Sequence, residues 1–178
     1  EIKGVDLVSY ELQGFVREMA KPNVNFLEIV LSPLRIITDK NYDVLQALAR
    51  DCVSKAMMGH WQGFSKHTSY HAVQEGYTKP KRNLYLIKIY LQGLFAAKTG
   101  KLKSNLHDFK GLPEYNAEII QELFDCKIEN KPFTNKQKFL DYCSVLEKEM
   151  EKQLTESTEL REKPSDETKI ALHDFAIN

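Results

Sequence analysis

The sequence predicts a mainly α protein, a helical bundle that opens on one short strand. Three observations lead there. Apolar residues recur at three- and four-residue spacing along most of the chain, the mark of helices with one buried face. The run from Ile2 to Val8 is instead partly β-branched and alternating, which suits a strand. Pro22, Pro33, the Gly76 to Pro80 segment and Gly100 fall between the apolar stripes, where helices end and turns begin.

With 178 residues the chain suffices for one compact domain with a sizeable core. We divide it into a strand-plus-helical domain over 1–154 and a polar linker with a docking helix over 155–178. Hydrophobic residues make up 42% and charged residues 28%, ordinary globular usage. No apolar run approaches the roughly 18 residues of a membrane helix; the longest, Leu84 to Ala97, is interrupted by Lys88 and Gln92. The first residues carry no basic, apolar and small-residue pattern of a secretion signal, so an intracellular, cytoplasmic location is expected, and no membrane. Lys plus Arg and Asp plus Glu number 25 each, so net charge demands no nucleic-acid partner, although a basic patch fits on a neutral protein. Cys52, Cys126 and Cys143 are odd in number and unpaired in spacing, as reduced core thiols would be.

Element by element, the strand gives way at Ser9, whose hydroxyl can cap a helix. That helix buries Leu12, Phe15, Val16 and Met19 until Pro22. A second short one carries Phe26, Leu27, Val30 and Leu31 up to Ser32 and Pro33. From about Asn41 a longer stripe of Tyr42, Leu45, Leu48, Ala49, Cys52, Val53 and Ala56 predicts the clearest amphipathic helix. Gly59 and Gly63 lower helix propensity beyond Met58, so the segment with His60, Trp61, Lys66, His67, Tyr70 and His71 is expected to be helical but bent. After the turn, Leu84, Ile87, Leu91, Leu94 and Phe95 mark the buried central helix, which ends near Gly100. Lys101 to Gly111 reads as a polar loop. Pro113 suits the first turn of a helix burying Ile119, Ile120, Leu123 and Phe124. Thr134 and Gln137 match a capping box before the stripe Phe139, Tyr142, Cys143, Leu146, Met150 and Leu154. Thr155 to Pro164 is almost wholly polar, and Ser165 opens a last helix with Ile170, Leu172, Phe175 and Ala176 that is expected to dock on the core.

Few residues group into chemistry. The eight glycines are scattered singly, so no phosphate-cradling loop exists. His67 and His71 share a helical face, but no Glu follows His67 and no thiol or carboxylate completes a usual zinc set. No sharp-turn context surrounds a Ser or Cys nucleophile. Lys79, Lys81 and Arg82, with Arg35, Lys66 and Lys88, could instead form a cationic groove interleaved with Trp61, Tyr70, Tyr77 and Tyr85. Such a groove suits phosphates and stacked bases; the plainer reading is a solvated helix start with snorkelling lysines. Asp6, late in the strand and just before a helix, could project toward a metal-bound phosphate, or merely cap a turn.

The ordered segments Val5-Asp6-Leu7-Val8-Ser9-Tyr10-Glu11-Leu12-Gln13-Gly14-Phe15 and Pro22-Asn23-Val24-Asn25-Phe26-Leu27-Glu28, closed by Ser32-Pro33, resemble a known group. Gly63-Phe64, Lys81-Arg82, Leu91-Gln92-Gly93, Thr99-Gly100, Ser157-Thr158-Glu159-Leu160 and Pro164-Ser165-Asp166 extend the likeness over nearly the whole chain. The group is the predicted nucleotidyltransferases of the DNA polymerase beta superfamily associated with RNA repair. The resemblance implies transfer of a nucleoside monophosphate from an NTP to a hydroxyl, with Mg²⁺ as cofactor. Its catalytic set is a Gly-Ser turn, an Asp-x-Asp pair and a third Asp, and it puts Asp6 at the third position as catalytic residue and metal ligand. Neither Gly-Ser nor Asp-x-Asp occurs in this sequence. The chain therefore resembles a C-terminal helical portion, inactive as this fragment, whose strand would complete an upstream α/β nucleotidyltransferase sheet. Its partners would be an NTP and an RNA or DNA acceptor, with a protein partner as a further possibility. The alternative is a non-catalytic helical module that binds nucleic acid or protein.

Overall fold

The computed structural model describes residues 8–34 and 39–177. The residues of the predicted strand before Val8, with Asp6, and the basic Arg35 lie outside the described residues. Among the described residues eight α-helices form the molecule: α1 (Leu12–Ala20), α2 (Val24–Leu31), α3 (Lys40–Cys52), α4 (Met58–Gln74), α5 (Pro80–Thr99), α6 (Ala117–Ile128), α7 (Lys136–Glu156) and α8 (Asp166–Ile177). The mainly α prediction holds.

Several helix starts differ from the sequence reading. Ser9 does not cap α1; the Glu11 carboxylate does, accepting from the backbone N–H groups of Gln13 (3.2 Å) and Gly14 (3.0 Å). A carboxylate placed there also meets the positive pole of the helix. Asn23 and Asp39 cap α2 and α3 in the same way. Pro113 sits in the turn before α6 rather than in its first helical turn, and Asn116 Oδ1 is the cap, accepting from Ile119 N–H at 3.2 Å. The Tyr142 hydroxyl of α7 fixes that turn, donating to the Glu114 carbonyl (2.8 Å) and accepting from Asn116 N–H (3.0 Å). The Thr134 and Gln137 capping box does not form. Lys136 N–H donates to the Thr134 carbonyl at 2.8 Å, Asn135 precedes the helix, and the Gln137 amide turns to Asp141 instead. Ser165 does start α8, its hydroxyl accepting from Thr168 N–H at 3.1 Å.

α5 is the hub. α4, α6 and α7 all pack on it, so residues are buried around most of its circumference. α4 presents Trp61, Ser65, Thr68 and Ala72 to α5 at spacings of four, three and four, and it runs unbroken through Gly59 and Gly63. Gly93 lets α7 approach closely: a Cβ there would stand 2.6 Å from Met150 Sδ and 3.6 Å from Trp61. Gly100 ends α5 in the left-handed region (φ 67°), as glycine does without steric penalty. The segment read as a polar loop, Lys101 to Gly111, contains a 3-10 turn, Leu106–Phe109, whose Leu106 and Phe109 are buried on α5.

A second layer is built by α1, α2, α3 and α8. The final helix packs on α1 and α3 rather than on α7, which precedes it. The polar stretch between α7 and α8 is strapped down: Leu160 is buried, Ser157 Oγ donates to the Ala97 carbonyl, and Lys55 and Ala56 N–H donate to the carbonyls of Arg161 and Glu162. Low apolar content hid that strap, because backbone hydrogen bonds leave no composition signal.

Candidate nucleotide-phosphate cleft at the start of α5

The turn between α4 and α5 borders a cleft. Tyr77 adopts a positive φ of 63° beside Gly76 at 60°, and the buried Asn83 amide donates to the Tyr77 carbonyl at 2.7 Å, holding the turn against α5. The chain then enters α5 at Pro80, whose missing N–H is no loss in a first turn. The resulting cleft, about 550 Å³, has Phe64, His67 and Thr68 of α4 on one wall and Tyr85 of α5 on the other. Glu75, Lys79, Lys81 and Arg82 line it too.

Its charges are not equivalent. Arg82 grips Glu75 with two hydrogen bonds, Nε to Oε2 at 2.7 Å and a terminal nitrogen to Oε1 at 3.0 Å. That pair holds the Glu75 carboxyl below its ordinary pKa and the guanidinium above its own. Lys79 and Lys81 form no ion pair among the described residues, and no side chain caps α5, so its positive N-terminal pole adds to theirs. Phe64 and Tyr85 meet edge to face, with ring centroids 5.6 Å apart.

Behind Tyr85 a second polar cluster ties the two layers. Lys88 Nζ lies 2.5 Å from Glu28 Oε1 of α2, and the Gln92 amide donates to the same oxygen at 2.7 Å and to the Lys103 carbonyl at 2.6 Å. Trp61 Nε1 donates to Gln92 Oε1 at 3.1 Å. His60 borders this cluster, and its Nε2 is buried without a hydrogen-bond partner.

Of the predicted basic residues the cleft thus gathers Lys79, Lys81 and Arg82. Lys88 is neutralised by Glu28 and stacks 5.4 Å over Tyr85. Lys66 is exposed on α4 and is not part of the cleft lining. Of the four aromatics predicted for the groove only Tyr85 lines the cleft: Trp61 and Tyr77 are core, and Tyr70 is exposed. Phe64, Thr68 and Glu75 were missed by the groove reading. Glu75 and Arg82 stand on either side of the Gly76 to Pro80 turn, a charge pattern that could have paired them. The described residues contain no group of three or more His, Cys, Asp or Glu able to hold a metal ion, so they do not by themselves fit a Mg²⁺ site. Nor is any described helix long and apolar enough to cross a membrane.

A family model described as the RNA repair pathway DNA polymerase beta family matches residues 2–177, and the chain belongs to that family. Among curated proteins it is 38% identical over 127 residues to an uncharacterized protein of Methanocaldococcus jannaschii, an alignment that takes in 71% of this chain and 52% of the relative. The chain spans about half the length of the curated relative it matches. No solved structure matches significantly.

Proposed function

We propose that this chain is the helical part of a nucleotidyltransferase, which moves a nucleoside monophosphate from an NTP to a hydroxyl on RNA, DNA or another acceptor. The observation that carries the reading is the family match over residues 2–177, which includes Asp6. In this reading Asp6 supplies one carboxylate of the Mg²⁺ site, and the remaining ligands come from a Gly-Ser and Asp-x-Asp segment not contained in this sequence. Two ions have to be held at once in such chemistry, which one Asp cannot do. The protein would act in the cytoplasm. A second reading, a non-catalytic binding module, is favoured by the absence of a metal-holding cluster among the described residues, beside a cleft that is already cationic.

The test is transfer of label from an α-labelled NTP in the intact protein with Mg²⁺. Asp6→Ala should abolish transfer while the helical circular dichroism stays unchanged. Transfer that survives the substitution removes Asp6 from the mechanism, and an intact protein that never transfers leaves the binding module.

A further inference from the structure

We propose that the cleft between α4 and α5 binds the sugar-phosphate backbone of a single-stranded polynucleotide, the acceptor, rather than the triphosphate of the NTP. The inference rests on the nucleotidyltransferase reading for the word acceptor alone; the binding itself does not need it.

Charge separates the two ligands. A triphosphate in transferase chemistry arrives with divalent ions, and those ions require carboxylate oxygens at the site. Among the described residues the only carboxylate lining this cleft belongs to Glu75, and both of its oxygens are taken by Arg82. What remains free is positive: Lys79 and Lys81, either side of Pro80, and the uncapped end of α5. Two separate ammonium groups suit successive phosphodiesters, each carrying one negative charge and needing no metal.

Shape and walls point the same way. At about 550 Å³ the cleft falls in the range of sites that enclose a small ligand or one unit of a longer one. Tyr85, 39% exposed, presents its ring beside Phe64, and a splayed base can lie against such rings whatever its sequence. Lys88 behind the Tyr85 ring, fixed by Glu28, keeps that platform in place. Arg82 is held by Glu75 as part of the wall, so the two lysines carry the phosphate contacts.

Fluorescence anisotropy of a labelled single-stranded oligouridylate with the full chain, in EDTA, tests this directly. Binding is expected without metal, weakening as salt rises. The Lys79→Gln/Lys81→Gln variant should bind about tenfold more weakly, with a slope of log affinity against log salt shallower by about 1.4, two phosphates' worth. Tyr85→Leu, which keeps an apolar side chain but no ring, should lose about fivefold or more at an unchanged helical signal. A slope unaltered by the lysine substitutions overturns the proposal, as does equal affinity for a duplex of the same length. Competition by free NTP at concentrations well below those of added oligonucleotide would reassign the cleft to the triphosphate and overturn it too. Asp6→Ala protein should keep full oligonucleotide affinity, so loss of transfer with retained binding separates the two readings. Binding by this chain, when the intact protein never transfers, sinks the transferase reading and leaves this one standing.

Discussion

His60 shows how one side chain couples the core to pH. Burial holds its pKa below the ordinary 6.5, the nearby Glu28 charge opposing but not reversing the shift. The unfolded chain therefore takes up a proton at His60 more readily than the folded one, so stability is present above the unfolded pKa and is lost as pH falls through it toward the folded value. Urea midpoints at about pH 7.5 and about pH 5.5 should show a drop in the wild type that is smaller in His60→Gln. An equal drop in both proteins would assign the effect elsewhere. Glu18 and Glu75 are depressed below 4.5 by their hydrogen bonds to Lys21 and Arg82, so their contribution is lost only at more acid pH and does not confuse that window.

At the level of elements, the buried faces were the most legible part of the sequence. The stripes on α3, α5, α6 and α7 follow from helical periodicity alone, because an amphipathic helix must bury its apolar side. Helix starts were read less well. Ser9, Pro113 and Thr134 each have the right chemistry one or a few residues from the position the chain uses, and what decided between neighbours was tertiary, as with Tyr142 pinning Asn116. The cleft was half legible: the basic cluster after Thr78 stands out in sequence, but which lysine is already neutralised depends on Glu28, sixty positions away from Lys88. Helix ends carry a testable consequence. Gly100→Ala places a side chain on a positive-φ residue and sets its Cβ 3.0 Å from the Glu159 carbonyl oxygen. Loss of about 1–2 kcal/mol in chemical denaturation is expected. A substitution there that leaves stability unchanged would mean that the strap beside it yields freely.

At the scale of the whole molecule, the Glu28, Lys88 and Gln92 cluster is a polar meeting point between the two layers within one continuous buried core. Glu28→Ala leaves the Lys88 ammonium half-buried and unmatched, and should destabilise the protein by about 3 kcal/mol in denaturant titration. Hydrogen exchange should place the loss: amides of α1, α2, α3 and α8 are expected to speed up more than those of α5, which sits amid its own layer. Uniform acceleration would indicate a single cooperative unit instead. The partnership of α8 with α1 also bears on synthesis. Val16 and Met19 lie buried on α1, yet the helix that packs beside them is made only after α7. On the ribosome that layer must therefore wait, with its apolar face open, until α8 has been translated. A nonsense change anywhere ahead of residue 166 would strand that face permanently, so truncated products should be prey for chaperones and proteases even when the central bundle has formed.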